Sequence, residues 1–194
     1  MITTMLDFTD VRSNKITMDQ LVAGMTKWDL HRHTDDMINA MCEAVQDATD
    51  ADVVFQPVDP EARDTFAARA TDTELAWTLG HVVVHANASS EESAALALEL
   101  ARGIPVEKRS RFETPWETVK TIQQCRVALE DSRKMRHALL EAWPAIPNTE
   151  NRYVYVAAFG PLNCYTRFIL GLRHEDAHLP QVREIIRQAH AARK

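Results

Sequence analysis

Residues 162–192 read LNCYTRFILGLRHEDAHLPQVREIIRQAHAA. Phe168, Ile169, Leu172, Val182, Ile185 and Ile186 recur along this stretch at helical spacing, and the preceding Gly160-Pro161 pair marks a helix start. Within it, His174-Glu-Asp-Ala-His178 spells the H-E-x-x-H pattern of helical zinc sites. Residues four apart on a helix lie one turn above each other, about 40° apart around the axis. Two imidazoles at that spacing can grip one ion from one side.

Three more helical segments are read upstream. Thr17-Met-Asp-Gln20 has capping-box spacing and opens a segment over 18–47, with Leu21, Met25, Trp28, Ile38, Met41, Cys42 and Val45 on its stripe. Thr71-Asp-Thr-Glu74 opens a second over 72–102, through Leu79, Val82, Val83, Ala86 and Leu98, and Gly103 with Pro105 stops it. Thr114-Pro115-Trp116-Glu117 combines a cap, a first-turn proline and an acidic residue, and predicts a third helix over 115–142. The last covers 161–192. A long connection, 49–70 with Pro57 and Pro60, separates the first two and suggests a crossover or a functional loop. Residues 153–159 are β-branched and aromatic enough for a short extended segment.

Glycine is scarce, at 5 residues, and the apolar runs break at helical rather than alternating intervals. The fold class expected is therefore all-α. Four long helices in a 194-residue chain predict a four-helix bundle, whose metal sites are built in the core from facing helices. One domain spans 1–194, with 1–16 as an N-terminal extension.

The net charge of -6 argues against nucleic acid and anionic membranes, since phosphate binding needs a basic face. The basic run at 108–111 reads as solvated charge. Three distant cysteines, Cys42, Cys125 and Cys164, support neither a disulfide framework nor a thiolate zinc site. A reduced, cytoplasmic setting is expected. No signal peptide is legible, and no stretch reaches the roughly 20 apolar residues that span a membrane.

The histidines carry the functional reading. Two histidines on a helix are by themselves as readily packed or solvated residues as ligands. A zinc protease would take a third ligand downstream, but the extended motif's positions hold Gln181 and Glu184, and no substrate-holding sheet is legible. A di-iron carboxylate bundle needs a second Glu-x-x-His, which the chain lacks. The remaining arrangement takes its third ligand from the second helix, where His81 and His85 repeat the four-residue spacing. His85 lies on a valine-rich face, where an unpartnered imidazole is costly. Three neutral imidazoles with an open position form a catalytic-type site for zinc or nickel.

Trp77-Thr-Leu-Gly-His81-Val-Val-Val-His85 resembles the tryptophan-to-histidine spacing of the DinB/YfiT-like superfamily. His174-Glu-Asp-Ala-His178-Leu-Pro-Gln181 is similar to its C-terminal His-x-x-x-His-x-x-Gln. The resemblance spans about 18–192. It implies a four-helix bundle with a three-histidine metal site, and the ligands carried over are His85, His174 and His178. His81 is then placed in the second shell or packed one turn away, and Gln181 is placed to orient an imidazole or bound water. Members include thiol-dependent isomerases and transferases, which implies a low-molecular-weight thiol beside the divalent metal and a small-molecule substrate. Metal-assisted hydrolysis is what the ligand chemistry equally permits, and a non-catalytic metal-binding or structural bundle is the alternative to both. Dimerisation through helix faces is compatible with a bundle of this size.

Other residues are weighed by position. Asn163, Arg167 and Gly171 precede His174 on roughly its stripe, so Arg167 could hold a substrate carboxylate or be a bundle-end charge, and Gly171 could leave room above a metal or permit close packing. Glu175 is about 100° from His174 and is not assigned as a base. Glu92 is expected to face solvent. His31, His33, His137 and His190 lack partners at ligand spacing and are expected at the surface. Trp28, Trp77, Trp116 and Trp143 are expected as core or cap aromatics. No nucleophile elbow or phosphate-cradling glycine loop is present.

Overall fold

Four side-chain caps set where the long helices begin. In a computed structural model that describes residues 5–63, 73–107 and 111–193, the helices among those residues are α1 (Thr9–Arg12), α2 (Met18–Leu21), α3 (Lys27–Ala44), α4 (Asp50–Val53), α5 (Leu79–Ala101), α6 (Ile122–Glu141) and α7 (Cys164–Ala192). Thr26, Thr78, Thr121 and Asn163 accept hydrogen bonds from the third residue of α3, α5, α6 and α7. Each thereby satisfies a backbone N–H with no partner inside its helix. Among the described residues the chain is all-α apart from a two-stranded hairpin, β1 (Tyr153–Val154) against β2 (Pro161–Leu162), paired antiparallel with Tyr153 opposite Leu162. That hairpin meets the expected extended segment in part, and corrects the expectation of no sheet.

The helix limits differ from those expected, for local reasons. The first segment is divided: the Thr17–Gln20 box caps only α2, Gly24 takes a positive φ of 79°, and a second box, Thr26 with Asp29, starts α3. The second helix starts at Leu79 rather than 72, because Thr78 caps there; Thr71 and Asp72 lie outside the described residues. Pro115 opens only a 3-10 turn, Trp116–Thr118, since Val119 is extended and the reciprocal Thr121–Gln124 box restarts the chain as α6. The long connection contains α4. Pro180 lies inside α7, which continues through it.

α7 packs on α5 and α3, and α6 packs on the other flanks of the same two helices. One apolar cluster joins Leu30, Leu100, Leu140, Trp143, Phe168 and Ile169; another joins Ile38, Met41, Val82, Val83, Leu129, Val182 and Ile185. No helix among the described residues is long and apolar enough to cross a membrane. The three cysteines are unpaired.

The α5–α7 seam is the tightest contact and the one that positions the site. Ser90 Oγ donates to the Gly171 carbonyl at 3.0 Å. A Cβ added at Gly171 would stand 2.7 Å from Ser93 Cβ and 3.0 Å from Ser90 Cα. Gly171 therefore serves close helix packing. Gly171→Ala gains about 0.5–1 kcal/mol of helix propensity but overpacks a seam where the cost is typically about 1–3 kcal/mol. A net loss of stability is expected from urea denaturation; an unchanged or raised midpoint would show that the seam has slack.

Candidate metal centre

α5 brings His85, and α7 brings His174 and His178, to one place across that seam. One ligand nitrogen from each ring lies within 4.8 Å of the other two. Ring centroids are 5.1 Å apart for His85–His174, 5.2 Å for His85–His178 and 4.6 Å for His174–His178. The three rings are half-buried. Burial, followed by neighbouring His178 and His85, pushes His174 down to about 3. Burial also lowers His178, with Gln181 opposing it. Both rings are thus neutral, the form that ligates a metal.

Two of the rings, His178 and His85, have an oxygen acceptor beside one nitrogen, the kind of partner that orients a metal-binding histidine. His178 Nδ1 is 2.8 Å from Gln181 Oε1, so an Nδ1–H donates to the amide and Nε2 is left for an ion. His85 Nδ1 lies 3.4 Å from Glu113 Oε2 and 3.1 Å from Arg111 Nη2. Arg111 also donates to the His85 carbonyl at 3.2 Å and pairs with Glu113. Burial alone would raise Glu113, but the hydrogen bonds to His85 and Arg111 and the Arg111 charge hold it at about 2. His174 Nδ1 is buried with no hydrogen-bond partner among the described residues. An imidazole nitrogen buried without a partner is costly, and a cation bound by it would remove that cost. The donor set fits a borderline divalent ion such as zinc.

His81 is placed beside this group rather than in it. Its ring is stacked between Trp77 at 4.5 Å and Trp116 at 5.0 Å, and its Nε2 is 4.0 Å from Glu113 Oε1. Trp77 also walls His85 at 4.4 Å and His178 at 5.7 Å between centroids. Arg167 is buried, donates to Ser93 Oγ at 2.6 Å and lies over the Tyr155 ring, so its guanidinium is engaged in tying α7 to α5. Glu175, which a zinc protease would turn to bound water, is fully buried against Arg136 at 2.7 Å.

Several expectations are corrected. His31 and His33 are buried on α3, and burial holds both imidazoles below their ordinary range. Glu92 is buried on α5, a helix packed on two sides. Trp28 is 69% exposed, because it stands on the outer side of the first turn of α3. Arg111 is part of the site and not solvated charge; the rest of its basic run lies outside the described residues. Arg111 and Glu113 had no spacing signal, since they reach His85 from a non-helical segment.

A cavity of about 610 Å³ adjoins the centre at His178 and Gln181, walled by Val58, Leu75, Trp77 and Ile185. It is of the size that holds a small organic molecule. Comparison with protein-family models, curated proteins and solved structures finds no match.

Proposed function

We propose that the chain is a DinB/YfiT-like four-helix bundle whose His85, His174 and His178 hold a zinc or nickel ion and activate a small thiol or water against an electrophilic substrate. The observation that carries this reading is the convergence of three ligand nitrogens, within 4.8 Å of one another, from two helices. When bound, such an ion supplies Lewis acidity that lowers the pKa of a thiol or water at an open position. The protein's own groups do the rest. Gln181 and the Glu113–Arg111 pair orient His178 and His85, Trp77 shields the rings from water, and the cavity beside His178 receives a small-molecule substrate. The proposed setting is cytoplasmic.

The test is turnover by the zinc- or nickel-loaded protein with electrophilic substrates, with and without added low-molecular-weight thiols. Thiol-dependent turnover, lost in His174→Ala, supports the transferase reading. Turnover without thiol moves the assignment to a hydrolase. A fully loaded protein inert under both conditions overturns catalysis and leaves a metal-binding bundle.

A further inference from the structure

A second pair of histidines meets across the α3–α6 seam. His31 Nδ1 and His137 Nδ1 are 3.1 Å apart, with their rings nearly perpendicular at 69°. The outer nitrogen of each ring faces a carboxylate: His31 Nε2 is 3.1 Å from Glu141 Oε1, and His137 Nε2 is 3.1 Å from Asp35 Oδ1. Neither outer contact has hydrogen-bond alignment, so its effect is electrostatic. Both carboxylates are themselves held: Arg133 Nη1 donates to Asp35 Oδ1 at 2.8 Å, and Lys27 Nζ is 3.5 Å from Glu141 Oε2.

The carboxylates bias the tautomers electrostatically. An imidazole lone pair facing an ionised oxygen is repelled and an N–H is attracted, so both rings favour Nε2–H. Both Nδ1 atoms then carry bare lone pairs, directed at each other across 3.1 Å. Either an Nδ1–H on one ring donating to the other or a cation bound by both relieves that repulsion.

We propose that His31 and His137 form a second divalent-metal site, a two-imidazole clip joining α3 to α6, separate from the three-histidine centre. Zinc–nitrogen bonds of about 2.0–2.1 Å in tetrahedral geometry place two ligand atoms about 3.3 Å apart, close to the separation already present. A carboxylate behind each ring is the arrangement that orients metal-binding histidines and raises their basicity. The surrounding charges favour a dication: Asp35, Glu141 and Glu130 stand against Lys27 and Arg133. The His137 side chain is 31% exposed, so water can reach the seam and complete the coordination. With two protein ligands, this site binds more weakly than the centre on α5 and α7. The competing occupant is a single proton shared between the two Nδ1 atoms.

The test is a zinc titration of the His174→Ala/His178→Ala double variant, which lacks the α5–α7 centre. One equivalent is expected to remain, to disappear on adding His137→Gln, and to bind about 10–100-fold more weakly on adding Glu141→Gln. In the wild-type protein, zinc is expected to shift the Nδ1 signals of His31 and His137 in nitrogen-resolved NMR while their Nε2 atoms stay protonated. This second measurement stands even if the double variant does not fold. The proposal is overturned if the folded double variant takes up no zinc, if the equivalent survives His137→Gln, or if the two wild-type rings respond to pH but not to zinc, which leaves a proton as the only bridge.

Discussion

Alanine at His85, His174 or His178 is expected to abolish the tightly held metal of the α5–α7 centre. Each ring supplies one of three nitrogens within 4.8 Å, and no other His, Cys, Asp or Glu among the described residues joins that group. Losing an outer partner of a metal ligand typically weakens binding by about 10–100-fold, and losing a ligand should exceed that. Zinc surviving dialysis against a weak chelator, measured by elemental analysis, is the readout. His81→Ala should keep it, because that ring is held between two indoles and is not in the group. Retention of the metal in all three alanine variants would sink the site. An ion held there would stabilise the fold by mass action, about 2.7 kcal/mol at a hundred times Kd, so chelation should lower the melting temperature of the wild-type protein and barely move that of His174→Ala.

Arg136→Met is expected to cost about 3–5 kcal/mol, the largest stability loss of any single substitution considered. Arg136 and Glu175 are 1% and 0% exposed and meet at 2.7 Å, so removing the guanidinium leaves a carboxylate in the interior with no countercharge. Burial already raises the Glu175 carboxyl, with Arg136 opposing it. Without Arg136 the rise is larger. A folded-state pKa above the unfolded one means that the native state binds more protons, so stability falls as pH rises from the unfolded value, about 4.3, to the raised one. The variant should therefore be more stable at pH 5 than at pH 7 by urea denaturation. Arg136→Met combined with Glu175→Leu should recover most of the loss, because two apolar groups leave no charge to desolvate. A single variant within about 0.5 kcal/mol of wild type would show that water reaches the pair.

Much of the helical framework is legible from local chemistry. The stripe of Phe168, Ile169, Leu172, Val182 and Ile185 and the His174–His178 spacing are properties of one helix, and both are present in α7. The starts were less legible. Thr114-Pro115 predicts the start of the third helix, but Val119 is extended and the Thr121–Gln124 box starts it instead. Gly24 divides the first segment in a way that periodicity does not register. The third histidine of the group stands between these cases, because a motif resemblance points to His85 and no spacing links it to α7.

The sequence by itself determined that the chain is helical, that His174 and His178 share one face, and that a Trp77–His85 stretch of matching character lies upstream. Those properties follow from interactions within about one helical turn, which the order of residues specifies directly. Tertiary structure alone decided that Arg111 and Glu113 flank His85, that Glu175 is paired inward with Arg136, and that His31 meets His137 from 106 positions away. These depend on which helix faces are buried together and on the close α5–α7 approach at Gly171. Burial and charge pairing act through space, so residues without any spacing signal became the ones that orient the site.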